Sequence, residues 1–167
     1  TELLQMARSA PGSISYASAG TGGAQHLAIE QILQRAKVQM VHIPYKGGSP
    51  AMADVMGGHV PVFAANIGSS LTNIKAGKLK AIAVSSSKRN SSLPDVPSIN
   101  ETIKDFNFTT WWGMLAPAGT PVAVVKRLNE EFTAIAAMPD VKEKLTSLGL
   151  TAQSGTPVQF SDHLKSE

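Results

Sequence analysis

Ser13-Ile14-Ser15-Tyr16-Ala17-Ser18-Ala19-Gly20-Thr21-Gly22-Gly23-Ala24-Gln25-His26-Leu27-Ala28-Ile29-Glu30-Gln31-Ile32-Leu33 holds the change from strand to helix on which the fold turns. Residues 13–18 form a short strand signal, set off from a first helix by Pro11-Gly12. Ala28, Ile29, Ile32 and Leu33 then fall on one helical face, opposite Glu30, Gln31, Gln34 and Arg35, so 24–36 is an amphipathic helix. Three glycines in the turn let the backbone bend sharply and approach a ligand closely. The helix that follows offers free N–H groups and the positive end of its dipole, which suits an anion. Ser18 and Thr21 add hydroxyl donors. The turn fits neither phosphate fingerprint: after Gly20-Thr21-Gly22 the dinucleotide motif asks for Gly or Ala where Gln25 stands, and the P-loop Lys-Ser/Thr is missing. A carboxylate suits it as well as a phosphate, and a tight turn with no ligand is equally compatible.

The alternation continues outward. Strand signals lie at 38–43, 60–65 and 79–85, with helix signals at 48–57 and 67–77 ending in Gly57-Gly58 and Ala76-Gly77. Such alternation points to an α/β unit with a largely parallel sheet and right-handed crossovers. Two more strand ends carry polar groups. His42-Ile43-Pro44-Tyr45-Lys46-Gly47-Gly48 places Tyr45 and Lys46 at a carboxyl edge, where open α/β sheets gather ligands. The alternative is that Tyr45 packs in the crevice while Lys46 is solvated. Ala64-Ala65-Asn66-Ile67-Gly68-Ser69-Ser70 offers Asn66 as a ligand contact or as a helix cap.

Residues 86–105 form a long Ser-rich, basic connection, of the kind usually tied to function. The texture changes at Phe106, where an aromatic and apolar run leads through Trp111-Trp112 to Pro117. That indole pair serves as core or hinge packing, or as a cleft wall. Three helices follow. Thr120-Pro121 caps one whose stripe is Val124, Val125, Leu128, Phe132 and Ile135. Pro139 starts one with Val141, Leu145 and Leu148 inward and Gly149 at its end, and Thr156-Pro157 caps the last, with Phe160 and Leu164. The two parts expected are 1–106 and 107–167.

Composition narrows the chemistry. The 167 residues include no cysteine, which excludes disulfides, Cys-ligated zinc, iron–sulfur centres and a thiol nucleophile. At 43% hydrophobic residues the chain is globular, and no apolar run nears the roughly 18–20 residues of a membrane span. Residues 1–100 hold nine Lys/Arg against four Asp/Glu, while 101–167 hold six against eight. Lys75, Lys78, Lys80, Lys88 and Arg89 form a solvated basic edge or bias the first part toward anions. Nucleic acid is not expected, because these bases are not interleaved with aromatics. His26, His42, His59 and His163 lack metal-ligand spacing, and no Gly-x-Ser-x-Gly elbow exists. His26, early in its helix, is expected to make a structural hydrogen bond. No enzyme chemistry, metal or cofactor is expected.

Together these segments form a family pattern. The run from Tyr16 to Leu27 resembles the glycine turn with His-Leu of tripartite tricarboxylate transporter substrate-binding proteins, also called Bug-type receptors. The run from His42 to Ala51 is similar to that family's most recognisable stretch. The resemblance continues through Gly57–Val60, Ile74–Leu79, Leu93–Ser98 and Trp112–Pro121, in order and over essentially the whole chain. It implies a soluble periplasmic receptor of two-lobed, type II binding-protein fold. Such a receptor closes on a dicarboxylate, tricarboxylate or acidic amino acid and delivers it to a membrane permease. Carried over, the capturing elements are Thr21, Gly22 and Gly23 of the turn and Asn66 with its neighbours in the third strand's loop, with Tyr45 as an extra; Ser18 and Gly20 of the same turn complete the expected ligand-binding set. Gly23 stands where the family often has Ser, and Gly68 where proline is more usual.

The resemblance also implies that 1–106 is the second lobe. Residues 107–167 would be the crossover and the helical part of the first lobe, whose N-terminal half would lie upstream. Thr1-Glu2-Leu3-Leu4 shows neither an initiator Met nor a signal pattern, so a fragment or a processed chain is expected. Without those partner strands Leu115, Val124, Leu128 and Phe132 would expose an apolar face, through which the chain could self-associate. The alternative function is a nucleotide or phosphate-ester enzyme using the same glycine turn.

Overall fold

The computed structural model describes residues 2–166. The chain divides between Thr110 and Trp111 into two compact units. The first contains helix α1 (Glu2–Ser9), strand β1 (Ser15–Ser18), α2 (Ala24–Ala36), β2 (Val41–Pro44), α3 (Gly48–Met56), β3 (Val62–Phe63) and α4 (Ile67–Lys75), followed by a 3-10 turn at Ile99–Glu101. The three strands are parallel, as expected, in the order β2-β1-β3.

β1 is buried on both faces, and its side chains alternate between them. Tyr16, with Ile14 before it, packs against Ala7 of α1 and against Ile29, Leu33 and Ala36 of α2. Ala17 faces the other way, onto Ala51 of α3 and Val60, with Tyr45, Val55 and Phe63 around them. The helices leaving β1 and β2 therefore cover opposite faces of the sheet. Each buried Ile or Leu contributes about 1.5–3 kcal/mol.

The helix ends follow the glycines. Gly58 and Gly77 both have positive φ and receive the chain from α3 and α4. At the end of α2 the same left-handed position is held by Lys37, at φ 53°. Val38 N–H reaches back to the Leu33 carbonyl at 3.1 Å, closing that turn.

The expected strand at 79–85 does not form. Only Val84 bridges to another segment, beside Ser98, through Val84 N–H to the Pro97 carbonyl and Ile99 N–H to the Val84 carbonyl, each 2.9 Å. Alternating side chains are not sufficient for a strand: the backbone needs a neighbour, and β3 is only two residues long. The 86–105 connection is held by a capping box. Glu101 accepts from Ser98 N–H at 2.9 Å, and Ser98 Oγ accepts from Asn100 N–H at 3.1 Å. Arg89 grips the same carboxylate through Nε and Nη2, at 2.8 and 2.9 Å. That pairing, with the Ser98 amide, pulls the Glu101 carboxyl down to about 2.

The second unit contains α5 (Val122–Ala137), α6 (Pro139–Ser147) and α7 (Pro157–Ser166). α5 packs on both of the others, and Asn129 donates to the Gly155 carbonyl at 2.8 Å. Trp111 sits edge-on to Phe160, with ring centroids 5.6 Å apart. Gly113 lies directly under that ring, where a Cβ would fall 2.1 Å from Phe160 Cζ.

Thr156 and Gln159 form a reciprocal cap on α7. Thr120 does not cap α5: its hydroxyl donates to the Pro117 carbonyl at 2.8 Å, and Pro121 takes the cap position. The stripe on α5 is not buried either. Val124, Leu128, Phe132 and Ile135 are exposed, as is Leu148 on α6, and no residue of the three helices is buried. Three short helices side by side provide no second layer to close over that stripe.

Candidate functional site

The order β2-β1-β3 sends the chain from the central strand to one edge and back across to the other. The switch point lies beyond the carboxyl ends of β1 and β3, where open parallel sheets leave a crevice. The loop after β1 is the glycine turn, and the loop after β3 carries Asn66. Tyr45 follows β2, on the far side of β1.

Two positive-φ glycines shape the turn, Gly20 at 148° and Gly22 at 77°. Gly23 has ordinary φ (−73°) and caps α2 without any side-chain bond. Its N–H points to the Gly20 carbonyl at 3.4 Å, and Gly22 N–H donates to His26 Nδ1 at 3.0 Å. His26 thus makes the hydrogen bond expected of it. Ser18 is fully buried. Its hydroxyl lies 2.7 Å from His42 Nε2, 3.0 Å from the Gly20 carbonyl and 3.2 Å from Gly20 N–H, so it is spent inside the turn. Among the described residues, the N–H groups of Thr21, Ala24, Gln25 and His26 have no intramolecular acceptor. These, unlike the amides of Gly22 and Gly23, remain without a partner within the chain.

The loop after β2 is zipped against the turn by Tyr45 N–H to the Ser18 carbonyl and Gly47 N–H to the Ala19 carbonyl, both 3.0 Å. Tyr45 itself packs beneath, and its hydroxyl donates to Asp54 Oδ2 at 2.6 Å, which raises the phenol above its ordinary range. Lys46 is exposed. Asn66 occupies the N-cap of α4, yet its side chain makes no cap bond. Its carbonyl accepts from Ser69 and Ser70, whose hydroxyls are thereby engaged. The Asn66 amide is exposed, with no intramolecular partner among the described residues.

The carboxylates near this edge are restrained. Tyr16 donates to Glu30 Oε1 at 2.5 Å on one face of the sheet, as Tyr45 does to Asp54 on the other. Both acids are thus held by phenols. Among the described residues no group of three His, Cys, Asp or Glu is placed to hold a metal ion.

Nothing in the sequence announces His42. Its partner emerges from register, which sets Tyr16 beside His42. The Ser98-x-x-Glu101 box, by contrast, was readable as a capping signature.

The family model described as tripartite tricarboxylate transporter family receptor matches residues 1–165. A protein of Pseudomonas sp. (strain P51), described as lying in the tcbD-tcbE intergenic region, is 43% identical over 100% of this chain and 50% of its own length. The structure of Rpa4515 of R. palustris with adipate superimposes at a TM-score of 0.87, with 27% identity over 99% of this chain and 56% of that one. MatC of Rhodopseudomonas palustris with bound malate gives 0.82, with 26% identity over 99% and 57%. The chain spans about half the length of these proteins. Its parallel α/β architecture is that of periplasmic binding protein-like structures. The chain therefore belongs to the tripartite tricarboxylate transporter receptor family, whose members are periplasmic solute-binding proteins.

Proposed function

We propose that this chain is the anion-capturing part of a periplasmic receptor for a small organic acid, which it hands to a transporter permease. The observation that carries the proposal is the unpaired N–H set of Thr21, Ala24, Gln25 and His26, opposite the uncapped Asn66 amide across the β1/β3 switch point. A carboxylate takes two or more such donors and the helix dipole without needing a cation. The adipate and malate bound by its structural relatives support a dicarboxylate as ligand class. Capture is non-covalent, and closure by a companion lobe completes it. Residues 107–167 would return to that lobe, which would cover the apolar face of Leu115, Val124, Leu128 and Phe132; self-association through that face is the competing outcome.

Isothermal titration of the full-length protein with adipate, malate, citrate, glutamate and inorganic phosphate tests the proposal. Micromolar or tighter binding of one of the acids is expected. Binding of phosphate alone would favour phosphate-ester chemistry, and binding of none would overturn the assignment. Gly22→Asp should weaken capture at least about hundredfold, since it sets a carboxylate against the ligand's own at a position of φ 77°. Unchanged affinity would remove the turn from the site.

A further inference from the structure

Against the glycine turn lies a cluster of three rings, His26, His42 and Tyr16. The His26 and His42 rings are parallel within 15°, with centroids 3.9 Å apart. Tyr16 lies beside this pair, its ring centroid 5.0 Å from His42 and 6.3 Å from His26. Each imidazole holds one end of the turn. His26 Nδ1 accepts from Gly22 N–H at 3.0 Å. His42 Nε2 meets Ser18 Oγ at 2.7 Å, and Ser18 Oγ reaches both the N–H and the carbonyl of Gly20.

The proton inventory closes in one arrangement. A serine hydroxyl has one proton to give and two lone pairs. If Ser18 gives its proton to the Gly20 carbonyl, it accepts from Gly20 N–H and from His42 Nε2–H. His26 must be unprotonated at Nδ1 to accept from Gly22, which puts its own ring proton on Nε2, 3.9 Å from Glu30 Oε1. The titratable groups facing the stack are Tyr16 from β1 and Glu30 from α2. α1, the other helix on this face, contributes Leu3, Leu4 and Ala7, while its Arg8 binds the Ala36 carbonyl at the far end of α2.

We infer that His26 and His42 are positioning residues of the anion turn. They take up the Gly22 amide and the Gly20 backbone from below, so that the N–H groups of Thr21 and Ala24–His26 are the ones aimed at a ligand. This rests on the proposed ligand reading. The physical warrant is that Gly20 and Gly22 are the most permissive backbone positions of the turn, and fixing them in advance removes an ordering cost from binding.

The experiment compares His26→Phe, which keeps the stack and deletes the acceptor, with His26→Asn, whose Oδ1 stands near Nδ1 and restores it. Two quantities are read in the full-length protein: hydrogen exchange at the Gly22 amide, which needs no ligand, and affinity for adipate and malate. His26→Phe should lose Gly22 protection and bind about tenfold more weakly, with His26→Asn recovering both. A Gly22 amide that exchanges freely in the unsubstituted protein overturns the inference. So does loss of protection with unchanged affinity, or equal weakening by Phe and Asn. If the unsubstituted protein binds neither acid, the ligand reading fails and this inference with it, and Gly22 protection then shows whether the pinning itself was real.

Discussion

The two units of this chain hold a similar share of apolar residues and use it in opposite ways. In the first, β1 has a helix over each face: Tyr16 meets α1 and α2, and Ala17 meets α3. In the second, α5 bears an equally regular stripe, yet Phe132 is 39% exposed and Leu115, before it, 75%. Helical periodicity states which face is apolar; it does not provide the surface that covers it. The first unit closes its core with its own crossovers, while in the second α5 packs on α6 and α7 without burying a residue of any of the three.

The largest expected effect follows from that contrast. Tyr16→Ala removes a fully buried ring and strips Glu30 of its donor, and should cost about 3–5 kcal/mol in chemical denaturation of the first unit. Phe132→Ala should cost less, about 1–2 kcal/mol, because 39% of that residue is already exposed. Sedimentation velocity on the same variant is the sharper measurement: if the stripe joins two copies, Phe132→Ala shifts the population to monomer. A Tyr16→Ala loss no greater than that of Phe132→Ala would end the distinction between the two regions.

The pH response should also be confined to the first unit. Glu101 titrates near 2 when folded, below the ordinary carboxylate value of about 4.3. The unfolded chain therefore binds the proton first. The stability Glu101 provides is complete above about pH 4.3 and is lost as pH falls toward 2. Desolvation, and then the neighbouring His26 ring, push the His42 imidazole below its ordinary value. That stability is present at neutral pH and begins to drop as pH falls through about 6.5. Arg89→Ala should flatten the lower limb and His42→Phe the upper one in pH-dependent denaturation. The second unit's ion pairs, Lys126–Glu130, Arg127–Glu131 and Lys165–Asp162, lie on exposed helix surfaces, where each contributes little. Acid loss of amide protection that begins in α5 would contradict this.

The smallest effect concerns one backbone angle. Lys37 closes α2 in the left-handed region, where α3 and α4 are followed by glycine. Lys37→Gly should raise stability by up to about 1 kcal/mol, offset in part by the freer unfolded chain. A fall in the thermal midpoint would mean that the Lys37 side chain contributes more than its φ costs.

Much of this was legible in the chain itself. The strand–turn–helix order, the parallel sheet, the terminating glycines and the family runs all rest on local periodicity and short spacing, which sequence records directly. So does the proposal of the glycine turn as an anion site, because free helix N–H groups follow from chain direction alone. Which of its groups remain available was not legible. Ser18 looked like a ligand donor until register brought His42 to its hydroxyl, and Tyr45 likewise until α3 brought Asp54 to its own. The segment at 79–85 alternates like a strand, yet only Val84 finds a neighbour.

Sequence by itself therefore determined the family, the α/β order and where free helix N–H groups lie, since each depends on residues close together in the chain. Tertiary structure alone decided which donors at the turn are free, which tyrosines hold which carboxylates, and which apolar stripe is covered. Those depend on pairings between residues such as Ser18 and His42, far apart in sequence, and a side chain's donor is committed only when its partner arrives.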